Sequence, residues 1–310
     1  MNTVVTGGCG FIGSHVVDRL VAAGHDVLVL DESIGLSSGG ARYVECDVTD
    51  RDAVVRAVEG CEVVFHLAGM SNVDEAHRYP MRTVALNVVG TTAVLEAARA
   101  CGVQRVVLAS TVWVYGAATE GAGPLREDSP IDLARAGHLY TSTKLAAELV
   151  VHSYRELYDQ HFTILRYGVP YGPRMRDELV VARFVQKALA GEPLTIAGDG
   201  SQFRNYLYVE DLADAHVAAL ADTAEDQVFA LEGAEPISVR MLVDTVTDLV
   251  GHVEVEQVPG RPGDYTGRSV SADKAAALLG WRPTTSFREG VRRYLEWYRA
   301  QQPLAVRSAE

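Results

Sequence analysis

Residues 2–13 read Asn2-Thr3-Val4-Val5-Thr6-Gly7-Gly8-Cys9-Gly10-Phe11-Ile12-Gly13, and no other stretch constrains the fold as strongly. A short run of Val and Thr has strand character, and it meets glycines at 7, 8, 10 and 13 just before a segment with helical periodicity. The expected unit is a strand, a tight turn and a helix start. Gly7 and Gly8 allow the turn, Gly10 admits a ligand close to the backbone, and Gly13 lets the helix pack on the strand. Backbone N–H groups at the helix start, around Phe11 and Ile12, then face a pyrophosphate, where the helix dipole favours negative charge.

Glycine spacing alone is a weak signal. The next expected strand strengthens it: Asp26-Val27-Leu28-Val29-Leu30 ends in Asp31, where an acidic side chain would bind the ribose diol of NAD. No Arg or Lys follows before Arg42, so nothing is placed to hold a 2′-phosphate, which favours NAD over NADP.

At 310 residues the chain has room for a sizeable core, in one large domain or two joined ones. Its net charge of -13 argues against non-specific nucleic-acid binding, although a local arginine cluster could still hold an anionic substrate. No run of membrane-spanning length is expected, and the chain enters its first strand at once, so the default location is the cytoplasm. The cysteines, at 9, 46, 61 and 101, form no close pair of metal or redox type. They read as buried, reduced thiols, and no metal site is expected.

In chain order, a first helix from Phe11 to about Ala23 and the second strand precede a Ser/Gly-rich surface loop over 33–40. Residues 43–48 read as a third strand, with Asp47 at its end near the adenine position and Val48 beside it, and Thr49-Asp50 caps a helix to about Val58. A fourth strand over 62–69 opens at Leu67-Ala68-Gly69 into small residues on which a dinucleotide could lie. Its His66 reads as a structural histidine. A long amphipathic helix follows, with Val84, Val88, Thr91, Leu95 and Ala98 on one stripe and an end near Gly102. The fifth strand, 105–111, carries hydroxyls at its C-terminal end, the edge beyond which ligands bind in open parallel sheets. Strands alternating with helices predict a doubly wound α/β fold.

Three residues converge on chemistry: Thr111 at a strand end, Tyr140 and Lys144. The last two stand four apart at the start of a helix and share its face. A phenol titrates near ~10, too high for a base at neutral pH, but a neighbouring ammonium favours the phenolate and brings it toward the working range. Lys144 could also hold the nicotinamide ribose, and Thr111 could share a hydrogen bond with the reacting hydroxyl.

Taken together, the residues resemble the extended short-chain dehydrogenases/reductases, and within them the nucleotide-sugar epimerase/dehydratase group. The resemblance covers nearly the whole chain. It rests on Thr6 to Gly13, His66-Leu67-Ala68-Gly69, Asn87-Val88-Val89-Gly90-Thr91, Val114-Tyr115-Gly116, Tyr140 with Lys144, and Tyr171-Gly172-Pro173-Arg174. In the second half it rests on 204–211, Arg261-Pro262-Gly263-Asp264 and Leu279-Gly280-Trp281. The resemblance implies a Rossmann-like NAD domain over 1–168 and a smaller substrate domain over 169–303, with a segment about 207–232 returning to the first and a tail over 304–310. It also implies Asn87 and Tyr167 beside the cofactor, and a homodimer through helices near 83–100 and 138–158.

Dehydratases of this group carry Asp-Glu directly after the residue matching Thr111, and related decarboxylases carry a Glu two residues after it. This chain has Val112 and Trp113, which argues against both reactions. What remains is reversible hydride transfer at one carbinol, as in a 4-epimerase acting on a nucleotide-diphosphate sugar of the UDP-glucose/UDP-galactose type with tightly bound NAD. A 4-keto-sugar reductase and a non-catalytic NAD sensor are the rivals. By the same resemblance Arg204 and Arg261 grip the diphosphate, with Arg174, Asp264 and Arg268 nearby. Arg268 stands near a position gating sugar size and would read a uronate carboxylate. Val169 replaces an Asn that contacts substrate in relatives, and Ser71, Asn72, Trp113 and Tyr167 are expected to line the pocket.

Overall fold

The computed structural model describes residues 1–116, 123–133, 137–260, 267 and 269–302. β1 (Asn2–Thr6) leads through the glycine turn into α1 (Phe11–Ala22), followed by β2 (Asp26–Asp31) and β3 (Arg42–Glu45). Next come α2 (Arg51–Val58), β4 (Val63–His66), α3 (Val73–Arg78), α4 (Pro80–Val84) and α5 (Thr91–Cys101), the last two joined by a π-helical turn at Ala85–Gly90. β5 (Arg105–Thr111) runs into a 3-10 turn at Val112–Tyr115, before α6 (Leu139–Tyr158) and β6 (His161–Tyr167). Then follow β7 (Val169–Tyr171), α7 (Val180–Leu189), β8 (Leu194–Ala197), β9 (Phe203–Arg204), β10 (Tyr206–Tyr208) and α8 (Val209–Ala218). The chain closes with β11 (Gln227–Leu231), β12 (Ile237–Ser238), α9 (Val239–Val250), β13 (Val255–Val258), α10 (Asp273–Leu279) and α11 (Phe287–Gln301).

Two compact units result. The first comprises Met1–Gly168, Leu212–Leu231 and Val270–Arg282. The second comprises Val169–Asp211, Glu232–Ser269 and the described part of Pro283–Glu310.

The first unit holds a seven-stranded, all-parallel sheet in the order β3-β2-β1-β4-β5-β6-β11. The doubly wound α/β fold expected from the sequence is therefore present. β4 and β5 are buried at every position, which explains their apolar stretches over 63–65 and 106–109: helices cover a parallel sheet on both faces. On one face Val4, Leu30, Val64, Val106, Leu108 and Ile164 pack beneath Val54, Leu95 and Val151 of α2, α5 and α6. The chain winds from β1 out to β3 and then returns to β4 on the other side of β1. That reversal opens a crevice at the carboxyl ends of β1 and β4, the ligand position of such sheets.

Three local expectations need correction. The third strand covers Arg42–Glu45 rather than 43–48, because Cys46, Asp47 and Val48 turn toward α2, whose N-cap Asp50 accepts from Ala53 N at 3.0 Å. The apolar stripe from Val84 to Ala98 is not one face. Thr91, Leu95 and Ala98 are buried, but Val84 is exposed, because the π turn inserts a residue and rotates α4 relative to α5. The expectation of no membrane-length run also fails on length alone: Pro80–Cys101 forms 22 residues of continuous helix, apolar enough to span. In its most apolar window 44% is buried inside the protein, and the run packs on α2 and α6, as a core helix does.

The second unit is built on α7, α9 and α11 with three two-stranded pairings, β7 with β10, β9 with β12 and β8 with β13. Its core is aromatic: Tyr171 stacks near Tyr206, Tyr208 and Phe287 at centroid distances of 6.0, 5.8 and 5.2 Å. Asp211 ties α11's approach in place, accepting from the backbone N–H groups of Thr284 and Thr285 at 3.1 and 2.9 Å.

A Cβ on Gly13 would stand 2.1 Å from the Gly7 carbonyl oxygen and 2.8 Å from Gly8 Cα, both backbone atoms that cannot rotate away. Gly13→Ala should therefore cost more than ~2 kcal/mol in chemical denaturation. Gly35→Ala, which meets nothing within 4 Å, should stay within ~0.5 kcal/mol of wild type.

Candidate active site

The glycine turn is held by Gly7 N donating to the Leu30 carbonyl at 2.8 Å, and Gly7 takes φ +72°. Gly8 serves packing rather than turn geometry, since a Cβ there would lie 2.6 Å from Val29 Cγ1. Gly10 is exposed and N-caps α1 with no side-chain hydrogen bond, and the first turn, with Phe11 and Ile12, carries no acid. An open backbone and a helix start whose first turn carries no acid fit a pyrophosphate. Asp31 accepts from Cys9 N at 2.9 Å and Ser33 N at 3.4 Å, which fixes its carboxylate at the end of β2, beside the turn. These residues fit NAD: backbone donors for the diphosphate and a fixed acceptor for the ribose diol.

Across the crevice, Ala68 N donates to Thr6 Oγ1 at 3.3 Å and Leu67 N to the Thr6 carbonyl at 3.1 Å. The Thr6 hydroxyl in turn donates to His66 Nδ1 at 2.8 Å. His66 Nε2 pairs at 3.0 Å with Thr91 Oγ1, which donates onward to the Asn87 carbonyl at 2.7 Å. Burial drives this imidazole down to about 3, so it stays neutral at physiological pH. It is a structural histidine, as its sequence context suggests.

Asn87 is not free to contact a ligand through its amide. Its Oδ1 accepts from Met70 N at 2.7 Å, and its Nδ2 donates to the Met70 carbonyl at 3.0 Å and to Thr143 Oγ1 at 2.9 Å. The residue is 1% exposed and clamps the loop after β4 onto α6. Gly69 runs between the two: a Cβ on it would meet Asn87 Oδ1 at 2.6 Å and Lys144 Nζ at 3.6 Å. Asp47 is exposed and accepts from Thr49 N and Oγ1, both at 2.8 Å, while Val48 is buried against Gly90.

Thr111 ends β5, is 4% exposed, and accepts from Trp113 N at 3.2 Å through Oγ1. Tyr140 and Lys144 lie on the first turns of α6, with Tyr140 partly exposed and Lys144 buried. Lys144 Nζ donates to the Ala109 carbonyl at 3.0 Å, two residues before Thr111. The ammonium has three donors, so this bond anchors it and leaves capacity for a sugar hydroxyl. Burial pushes Lys144 down to about 8 from its ordinary 10.5, and the Glu148 carboxylate offsets part of that loss. It therefore remains mostly cationic at pH 7, the state that favours a phenolate at Tyr140.

The Tyr167 side chain is engaged within the protein. Its hydroxyl donates to His216 Nε2 at 2.6 Å, while His216 Nδ1 donates to the Leu212 carbonyl at 2.8 Å. Both side chains are buried, so the Tyr167 hydroxyl braces β6 against α8. Asn72 Oδ1 caps α3, accepting from Asp74 N and Glu75 N at 2.9 and 3.2 Å. Ser71 is exposed and Trp113 is 40% exposed. In the second unit Val169 N donates to the Asn205 carbonyl at 3.4 Å, Arg204 Nη1 donates to the Phe203 carbonyl at 2.6 Å, and Arg174 takes φ +66°. Arg261, Asp264, Arg268 and the tail after 303 lie outside the described residues.

Sequence reasoning missed His138. Its Nδ1 accepts from Thr141 N at 3.3 Å and Thr141 Oγ1 at 2.9 Å, which caps α6, and its ring stacks on Trp113 at 5.3 Å with Tyr140 at 6.1 Å. A polar residue two places before Tyr140, just ahead of the helix, was the available signal. It missed Glu148 as well, one turn beyond Lys144 on the buried face.

The parallel sheet and its glycine turn together define a dinucleotide-binding protein of the short-chain dehydrogenase/reductase type. Residues 3–231 match the NAD dependent epimerase/dehydratase family, and the chain belongs to that family. It is 37% identical to a UDP-glucose 4-epimerase of Mycolicibacterium smegmatis over 96% of this chain and 99% of that one. It is 32% identical to a probable UDP-glucuronate 4-epimerase of Rhizobium meliloti, over 96% and 97% of the two chains. The crystal structure of Thermus thermophilus UDP-glucose 4-epimerase in complex with NAD superposes with a TM-score of 0.86 at 32% identity, covering 97% of this chain and all 100% of that one.

The imidazole cap makes a specific demand. Only neutral His138 accepts from Thr141, and burial lowers its native value below the ordinary 6.5. The stability it lends is complete above that ordinary value and is lost as pH falls through the lowered native one. His138→Ala should lower stability by ~1 kcal/mol at pH 7.5, read by thermal melting, and His138→Asn should restore it and remove the acid-side loss.

Proposed function

We propose that this chain is an NAD-dependent nucleotide-diphosphate-sugar 4-epimerase of the UDP-glucose/UDP-galactose type. The observation that carries the reading is the 3-10 turn after Thr111. Its residues, Val112 to Tyr115, include no carboxylate, so the position from which a dehydratase moves a second proton holds Val112 and Trp113 instead. A site built from Tyr140, Lys144 and Thr111 alone suits proton removal and return at one hydroxyl.

When bound, NAD supplies a hydride acceptor and donor that is regenerated within each turnover. The protein's residues do the rest. Tyr140 takes the proton from the sugar 4-hydroxyl at its phenolate oxygen and later returns it. Lys144 supplies the positive charge that makes the phenolate accessible and a donor for the ribose. Thr111 aligns the reacting hydroxyl. Gly7, Gly10, Gly13 and Asp31 hold the dinucleotide, and Arg174, Arg204 and Arg261 supply cations suited to a diphosphate.

The reading extends to a homodimer in the cytoplasm. Large apolar side chains stay exposed on the Pro80–Cys101 helical run and on α6, including Val89 at 51%, Leu149 at 59%, Leu157 at 68% and Tyr158 at 50%. Such clustering on adjacent helices supports a four-helix interface. All four cysteines are unpaired, which supports a reducing compartment.

Purified protein with no added cofactor should convert UDP-glucose to UDP-galactose, followed by proton NMR, with UDP-N-acetylglucosamine and UDP-glucuronate tested alongside. Tyr140→Phe should reduce kcat by roughly 10³-fold while retaining NAD. Conversion only after external reduced cofactor is supplied would shift the assignment to a ketoreductase. In a separate test, Leu149→Glu/Leu157→Glu should sediment at monomer mass, where wild type sediments as a dimer.

A further inference from the structure

Behind Tyr140 and Lys144 lies a buried charged cluster that the reaction scheme does not use. Glu148 is 2% exposed and Arg166 is 5% exposed. Arg166 Nε lies 3.1 and 3.2 Å from the two carboxylate oxygens, and Nη2 is 2.7 Å from Oε2. The Ser110 hydroxyl donates to the remaining face of Glu148. On its other side Arg166 Nη1 donates to Tyr115 Oη at 2.9 Å and to the Glu127 carbonyl at 3.2 Å, and the guanidinium stands 5.0 Å from the Tyr115 ring centroid. These bonds join three elements: α6 through Glu148, β5 through Ser110 and β6 through Arg166.

The placement is informative. Ser110 and Arg166 are register partners across β5 and β6, and each immediately precedes a strand-end residue of the crevice, Thr111 and Tyr167. Glu148 lies four residues beyond Lys144 and eight beyond Tyr140, so all three share one face of α6. A pair this deep contributes little net stability compared with apolar side chains of the same volume, because both charges must be desolvated. It does fix where α6 sits along the strand ends.

We propose that the Glu148–Arg166 pair is the positioning element of the active site: it locks α6 to the ends of β5 and β6 and sets a negative charge one turn behind Lys144. This rests on the Tyr140/Lys144 reading above. The other groups facing Lys144 do not substitute for Glu148. His66 of β4 is neutral, and Asn87 and Gly69 carry no charge. Arg166 faces Glu148, Tyr115 and the Glu127 carbonyl, with Lys274 of α10 farther along the same cluster. Besides Tyr140, the phenol that Lys144 itself serves, Glu148 is the acidic group that raises the Lys144 ammonium. It acts through Lys144 and does not touch the reacting atoms.

The test compares wild type with Glu148→Gln and with Glu148→Met/Arg166→Met, which removes both charges at nearly constant length. Two quantities are followed against pH: kcat and KM for UDP-glucose, and NAD affinity by titration calorimetry on cofactor-stripped protein. In the double variant kcat should fall by about tenfold with KM within about twofold, and the alkaline limb of both kcat/KM and NAD affinity should move to lower pH. Glu148→Gln, if it folds with Arg166 unpaired, should shift the limbs the same way. A folded double variant with unchanged kcat and unchanged limbs overturns the proposal. A double variant that does not fold also overturns it, because the pair would then serve folding. Absence of epimerisation by wild type would remove the reaction assignment, while the affinity limb would still judge the pair.

Discussion

Gly7 and Ala68 approach so closely that a Cβ on Gly7 would stand 2.6 Å from the Ala68 nitrogen. The first strand of the sheet and the strand that reverses its winding meet there with nothing between them. From that contact the rest of the site takes its position. Thr6 binds both Ala68 and His66, His66 reaches Thr91, Thr91 reaches the Asn87 carbonyl, and the Asn87 amide holds Met70 and Thr143. One continuous chain of hydrogen bonds therefore links the glycine turn to the helix that carries Tyr140 and Lys144. Every polar atom along it is buried or partly so, which makes each link costly to break.

The second constraint is electrostatic. A lysine in a dry site tends to lose its proton, and a neutral Lys144 would do nothing for a phenol four residues away. Here burial and Glu148 act in opposite directions, and the ammonium is pushed down only to about 8. The same burial that endangers the charge also makes its field effective, because little water screens it. Capping by His138 and the Glu148–Arg166 pair hold the two ends of this arrangement on one helix.

Much of this was legible in the sequence. The glycine spacing before a helical period, Asp31 at the end of the next strand and Tyr140 four residues before Lys144 are local patterns, and local patterns carry their geometry with them. His66 was legible too, as an imidazole inside an apolar strand. The π turn at Ala85–Gly90 was not, because a single inserted residue leaves the apolar composition unchanged while rotating the face. Nor were the hydrogen bond from Tyr167 to His216, 49 residues apart, and the engagement of the Asn87 amide with Met70 and Thr143, since each depends on which loop the fold brings alongside.

By itself the sequence determined the class of fold, the cofactor and the residue types available for proton transfer, because periodicity, glycine spacing and helical i,i+4 geometry are properties of neighbours along the chain. Tertiary structure decided which polar residues pair with one another inside the protein. Asn87, Tyr167 and Asn72 look like binding residues in the sequence and are engaged inside the protein, while Glu148 and His138 look unremarkable and stand on α6 and at its cap, beside Lys144 and Tyr140. The reason is desolvation: a buried polar atom must find a partner wherever the packing supplies one, and that partner is set by the assembled sheet and helices rather than by distance along the chain.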